Sequence, residues 1–259
     1  MRPAQHDLWR PFLPSLVGAL GILLFLGVWM GGSVAIHNLI LLPSPLDVVM
    51  SMKDMIQDGS LLKDLIASLR RVFVGFAIAT FLAIPLALAM GAIPALRWLL
   101  LPIISLLRPI PPIAWIPIAI LWFGLSDASA YFITALAAFF PIFISTLSAA
   151  LSVEPQYLRA ARCLGSNGYI LLTRVYLPSS LPEVWTGLNI GLGQSWMAVI
   201  TAELVAAQSG LGCMIELKRI QLETPCVFVG MIIIAITGTL MTLGLSRMGR
   251  LLFPWRYLC

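Results

Sequence analysis

The sequence predicts an all-α, polytopic membrane protein with about six transmembrane helices. Three observations lead there. The 259-residue chain is 60% hydrophobic and 10% charged, with a mean hydropathy of +0.98, whereas soluble domains carry about 25% charged residues. Its apolar residues run in blocks long enough to cross a bilayer at ~1.5 Å per residue. The blocks are continuous rather than alternating over ~10 residues, which favours helices over an outer-membrane barrel. The expected organisation is a single transmembrane domain over residues 1–259.

Residues 1–12 are polar and basic. Residues 13–30 are the first apolar block. It exceeds the usual ~7–15-residue core of a signal peptide, so a retained span is expected. In LLPSP (41–45), Ser44 is a candidate N-cap, and Pro45 suits the first position of a short helix running toward Gly59. From Leu61 to Phe73, apolar residues recur at helical spacing between Lys63, Asp64 and Arg70. This amphipathic ramp leads into a second span, 72–92. A short loop, 93–98, precedes the third span, 101–123, which its prolines kink or break at the start. The fourth span is 130–151. The fifth, 184–206, contains Gly187, Gly191 and Gly193, small residues that let another helix approach, from this subunit or a second copy. A loop, 207–225, leads to the sixth span, 226–246, and a short basic tail with Arg247, Arg250 and Arg256.

Between the fourth and fifth spans lies 154–182, EPQYLRAARCLGSNGYILLTRVYLPSSLP, the longest polar-to-mixed interruption in the second half. It is either a solvated connection whose arginines only set topology, or a contact surface for something in the aqueous phase. With the N-terminus inside, the inner segments hold nine Lys and Arg: Arg2, Arg10, Arg97, Arg159, Arg162, Arg174, Arg247, Arg250 and Arg256. The outer segments hold six: Lys53, Lys63, Arg70, Arg71, Lys218 and Arg219. That bias puts both termini and 154–182 in the cytoplasm. In a membrane protein the net charge of +5 reflects this loop asymmetry rather than nucleic-acid binding. The four cysteines form no CxxC pair and the two histidines are far apart, so no metal site is expected.

The loop's spacing resembles the EAA loop of membrane subunits of ATP-binding cassette importers. Arg159-Ala160-Ala161 stands at the EAA position, Gly165 follows three residues later, Val175 nine residues after that, and Leu177-Pro178 closes the pattern. Arg159 replaces the acidic residue of that pattern, so a role for that carboxylate does not carry over. RPIPPIAWIPIAILWFGLS (108–126), PEVWTGLNIGLGQSW (182–196), TAELVAAQSGLG (201–212), LLPSP and the terminal PWR (254–256) also look like the taurine, sulfonate and nitrate branch of these permeases. The resemblance covers about Leu41 to Arg256.

It implies a type I importer permease fold in the bacterial inner membrane. It also implies that 154–182 forms a coupling helix received by a cleft in a cytoplasmic ATPase. The implied assembly is two copies of this chain, two ATPase subunits and an extracytoplasmic solute-binding protein. No cofactor is expected on this chain; ATP and Mg belong to the partner ATPase. The residues suit such a helix. Glu154 complements the helix dipole at its start, Pro155 fits the first turn, Ala160 and Ala161 allow close approach, and Gly165 can end the helix in a left-handed cap. Arg159 and Arg162 offer charge to an ATPase or to anionic lipid. Leu177 and Pro178 fix the chain as it re-enters the membrane.

The chain has no GxxxxGK[ST] phosphate loop, so its energy comes from a partner or, in the alternative reading, from an ion gradient driving a secondary carrier. Ionisable residues in or beside spans are functional candidates. Glu203, near the outer end of the fifth span, is expected to pair with Arg70 or Arg71 as a staple or outer gate. Arg108 sits toward the inner side, and Ser195 and Trp196 are candidates for lining the path. An intramembrane enzyme would need paired catalytic groups that this sequence does not bring together. Within the resembled branch, a sulfonate or taurine is the first choice of substrate, with nitrate or bicarbonate as other small anions.

Overall fold

The computed structural model describes residues 13–253, except the side chains of residues 13–16 and 19. The basic stretch 1–12, with Arg2 and Arg10, and the terminal PWR, with Arg256, lie outside the described residues. All regular elements among the described residues are helical. They are α1 (Leu13–Ile36), α2 (Pro45–Gln57), α3 (Ser60–Ala92), α4 (Pro94–Leu107), a 3₁₀ turn (Pro112–Trp115) and α5 (Ile116–Phe123). There follow α6 (Asp127–Leu151), α7 (Pro155–Cys163), α8 (Gly168–Leu171), a π turn (Leu172–Tyr176), α9 (Leu177–Ala206), α10 (Leu211–Ile220) and α11 (Thr224–Leu252).

Local chemistry sets several of these boundaries. Ser44 caps α2 in a capping box with Asp47, and Pro45 takes the first helical position, as expected. The ramp and the second span fuse into one 33-residue helix, α3. At ~1.5 Å per residue this is about 50 Å long, well beyond a ~30 Å hydrocarbon core. Its first turns, with Asp64, Ser68, Arg70 and Arg71, therefore fall at or beyond one membrane boundary.

The centre of the bundle is α6, clasped between α3 and α9. Ala79, Ala83, Ala87 and Met90 of α3 interdigitate with Ala138, Ile142, Phe143 and Leu147 of α6. On the other side, a Cβ at Gly187 would come within 2.7 Å of the Ser145 Cβ, and one at Gly191 within 2.8 Å of the Ile142 Cγ1. Lipid tails give helices little hydrophobic reason to associate, so small residues and close backbone approach supply the contact instead. These two glycines thus serve packing within one chain, while nothing lies within 4 Å of a Cβ at Gly193. A second cluster joins Val72 of α3, Leu192, Trp196 and Val199 of α9, Leu211 and Met214 of α10 and Val229 of α11.

Among the described residues, three helices (α3, α6 and α11) are long and apolar enough to cross a membrane, and two bent pairs raise the number to five if each is one span. The apolar Leu20–Ile36 part of α1 is shorter. Of the two expectations for the third span, kinked or broken, the structure has the break: two pieces bent by 91° at 108–111, further into the span than its start. Pro109, Pro111 and Pro112 lack the N–H groups that would continue α4, and Pro111 is extended at φ −64°, ψ 143°, which is non-helical. The expected loop at 93–98 shrinks to Ile93, because Pro94 opens α4 at its first position. Likewise, the expected loop at 207–225 contains α10, and Arg247 and Arg250 of the basic tail continue α11.

Candidate functional site

Two features stand out, at opposite ends of the α6–α9 pair. At the first end, α7 leaves the bundle as a short exposed helix. Glu154 is its N-cap residue, although its side chain accepts from Gln156 rather than from the helix. Pro155 fills the first position. The C-terminus is closed as a Schellman motif: Gly165, at φ +79°, donates to the Arg162 carbonyl, and Ser166 donates to the Ala161 carbonyl. A non-glycine residue would be strained at that φ.

The two faces of α7 differ. Leu158 and Ala161 turn inward onto a cluster of Leu88, Ala150, Leu171 and Tyr176 that also holds Val175 and Leu177. Glu154, Arg159, Ala160, Arg162 and Gly165 are exposed. Three of the loop-pattern positions (Ala161, Val175 and Leu177) thus seat α7 on the bundle, and the solvent-facing positions are left for contact. The expected loop is also shorter than 154–182. From Gly168 onward the chain is helical into α9, and the π turn at 172–176, where Leu177 N–H reaches back to the Leu172 carbonyl, directly precedes Pro178. Such a bulge re-registers the ladder just where Pro178 offers no N–H.

At the other end lies a buried polar network. Arg71, with a side chain 3% exposed, uses all five of its N–H groups. Nη1 donates to Glu203 Oε1 at 2.7 Å and to the Ser209 carbonyl at 2.6 Å. Nε and Nη2 donate to Asp127 Oδ1 at 2.8 and 2.6 Å, and Nη2 also reaches the Ser209 hydroxyl at 2.9 Å. Glu203, whose side chain is 0% exposed, further accepts from the Ser68 hydroxyl at 2.8 Å and from Gly212 N–H at 3.0 Å. Leu211 N–H donates to Ser68 Oγ and Gly210 N–H to Asp64 Oδ1, both at 2.9 Å.

The first amides of α10 are therefore capped by two carboxylates and a hydroxyl from α3 and α9, which suits the positive end of a helix dipole. Close approach is essential here. Cβ atoms at Gly210 and Gly212 would lie 2.3 Å from Glu203 Oε1 and 2.6 Å from the Ile200 carbonyl oxygen. Of the two expected partners, Arg71 takes Glu203, while Arg70 pairs with Asp127 on the exposed side. Sequence reasoning missed Asp64, Ser68 and Asp127. A signal was present: Asp64, Ser68 and Arg71 are spaced to share one helix face.

The remaining candidates lie apart. Arg108 is exposed at the α4–α5 break. Ser195 is buried against α6, within 3.5 Å of the Thr134 carbonyl. Trp196 donates to the Ile234 carbonyl of α11 at 3.0 Å and borders a 450 Å³ groove with Gly193 and Gly238. Beyond α10, Lys218 donates to Glu223 at 2.7 Å, which holds that carboxyl below its ordinary range.

Residues 79–256 match the family described as the binding-protein-dependent transport system inner membrane component. The chain belongs to this family. As a permease, it is 37% identical over 244 residues to the taurine transport system permease protein TauC of Escherichia coli, covering 92% of this chain and 88% of that protein. It is 32% identical over 225 residues to a putative aliphatic sulfonates transport permease protein, SsuC, of Bacillus subtilis (87% and 82% covered). A bicarbonate transport system permease protein, CmpB, of Synechococcus elongatus is 35% identical over 216 residues (79% and 77%). The expected family, all-helical polytopic fold and transport role thus hold. The family match includes α7, Asp127 and Glu203 of the permease but begins after Asp64, Ser68 and Arg71.

Proposed function

We propose that this permease is the membrane subunit of an ATP-driven importer for a small sulfonate of the taurine type. It acts as a single transmembrane domain in the bacterial cytoplasmic membrane, with both termini and α7 on the cytoplasmic side. Two copies assemble with two ATPase subunits and receive substrate from an extracytoplasmic binding protein. ATP and Mg reside on the ATPase.

The observation that carries this reading is α7. It is a capped, exposed helix at the junction of α6 and α9, the two most closely packed central helices. A partner that grips Glu154, Arg159, Ala160 and Arg162 acts on both helices at once. ATP binding closes the ATPases and draws two such helices together; hydrolysis releases them, which alternates access to the path. The core between α3 and α6 is filled by Phe143, Ile142 and Met90, so the path for a hydrophilic solute runs along a face of the bundle, against the second copy. Trp196, at the edge of the groove, and Arg108 remain candidates for that face, whereas Ser195, buried against α6, does not reach it. The ion-coupled alternative needs a titratable group free to exchange its ion, and both oxygens of Glu203 are engaged.

Co-purification with the cognate ATPase tests the assembly. ATP turnover stimulated by taurine-loaded binding protein, with taurine uptake into proteoliposomes, tests the activity. Uphill uptake by the pure chain alone, driven by an ion gradient, overturns the reading.

A further inference from the structure

We propose that Arg71 is a positioning residue that closes the far end of the α6–α7–α9 hairpin and makes it one lever. The inference rests on the ATP-driven reading of α7. Asp127 is the first residue of α6, and Glu203 lies in the last turn of α9. These are the two free ends of a hairpin whose other ends are joined through α7. A helix of 25 residues such as α6 is about 37 Å long. One guanidinium from α3 bridges both ends, at 2.6 Å from Asp127 and 2.7 Å from Glu203.

Along the shaft, Gly187 and Gly191 bring α9 onto α6 without space to slide. A displacement of α7 therefore reaches the far end as a movement of the whole hairpin, provided the far end is tied. Arg71 supplies the tie and extends it through Glu203 and Ser68 to the first turn of α10.

The two arms differ. The Glu203 arm is dry, with a side chain 0% exposed. The Asp127 arm is 34% exposed and borders a 250 Å³ hollow lined by Arg71, Ser126, Asp127, Gln208 and Ser209. Water can replace the Asp127 arm but not the Glu203 arm.

The test uses the complete complex in lipid. Asp127→Ala cuts the wet arm, and the double variant Arg71→Met/Glu203→Gln removes both charges of the dry arm together, leaving no lone buried charge. Recovery of the complex, ATP turnover with and without taurine-loaded binding protein, and taurine moved per ATP are measured. Both variants are expected to assemble, to lose stimulation by the binding protein, and to move about tenfold less taurine per ATP, a typical coupling factor. Asp127→Glu restores stimulation. Retained stimulation, or a loss that only follows the amount of complex recovered, overturns the proposal. A wild-type complex that does not import taurine refutes the substrate reading alone. A separate arm needs no transport: spin labels at Leu125→Cys and Gln208→Cys, in a background without the native cysteines, report the spacing across the hollow. Asp127→Ala is expected to broaden that distance distribution, and an unchanged distribution overturns the proposal.

Discussion

The three glycines of α9 allow the central helix contact to be tested with one chemical change. Gly187, Gly191 and Gly193 lie in the same helix, so replacing each by Ala brings a similar gain in helix propensity, about 0.8–1.0 kcal/mol. That gain cancels when the variants are compared. What differs is the neighbour the new methyl meets. At Gly187 it comes 2.7 Å from the Ser145 Cβ and 3.2 Å from the Ile142 Cα, well inside the ~3.5–4.0 Å optimum for carbon pairs. The Ile142 Cα is backbone, so α6 and α9 must part. At Gly191 the nearest atoms are Ile142 Cγ1 and Cδ1, at 2.8 and 3.0 Å, and a side chain can turn away. At Gly193 the methyl meets nothing within 4 Å. Overpacking costs about 1–3 kcal/mol, so Gly187→Ala is expected to be less stable than Gly193→Ala by that amount. For a chain of this size the difference corresponds to roughly 2–12 °C in Tm. Thermal unfolding in detergent should rank the variants Gly187→Ala, Gly191→Ala, Gly193→Ala from least to most stable. Equal Tm values for the Gly187 and Gly193 variants would refute the claim that these contacts are made within one chain.

Further expectations concern α7 and the polar network. Ala160→Glu, on the exposed face, should abolish ATPase binding in a pull-down while leaving Tm unchanged. Ala161→Glu should lower both, since Ala161 packs on the cluster around Leu88 and Tyr176. Gly165→Val forces a β-branched residue to φ +79° and should cost about 1–2 kcal/mol of local order, read as faster amide exchange at the end of α7. Glu203→Ala leaves Arg71 and Gly212 N–H without their buried partner, and should cost about 3–5 kcal/mol in unfolding measurements. Glu203→Gln, which keeps the shape and can still accept from Ser68 and Gly212, should cost less.

Composition made the membrane class legible, because no arrangement of this chain hides so much apolar surface from water. The spacing of α7 was legible too, and the structure gives that spacing a physical basis. Ala161, Val175 and Leu177 fall on one cluster, while Gly165 sits where the chain must turn through the left-handed region. The prolines pointed to a break in the third span but not to its place at 108–111, since Pro85, Pro102, Pro141 and Pro182 sit inside helices while Pro109, Pro111 and Pro112 interrupt one, and periodicity does not tell these apart. Missing α10 has a different cause. Its capping groups come from Asp64, Ser68 and Glu203, far away in sequence, so no local signal marks its start.

The same non-locality explains why only half of the polar network could be anticipated. Glu203 and Arg71 were conspicuous as charges at the end of apolar runs. Asp127 lies in the short polar stretch between two apolar blocks, and Ser68 is one small residue among the apolar residues of a helix, so neither stands out in the sequence. Only the fold reveals that Arg71 has five donors to satisfy in a dry site, and that an arginine buried beside one carboxylate needs these further acceptors. An isolated pair buried at this depth would bear a desolvation cost that its mutual attraction does not reliably offset. The carboxylate of Asp127 and the carbonyl and hydroxyl of Ser209 complete the arginine's partners, while Ser68 and the α10 amides complete those of Glu203. The network is thus a consequence of burial: once Glu203 is placed inside, four segments must converge on it and on Arg71, and the far end of the hairpin is tied as a result.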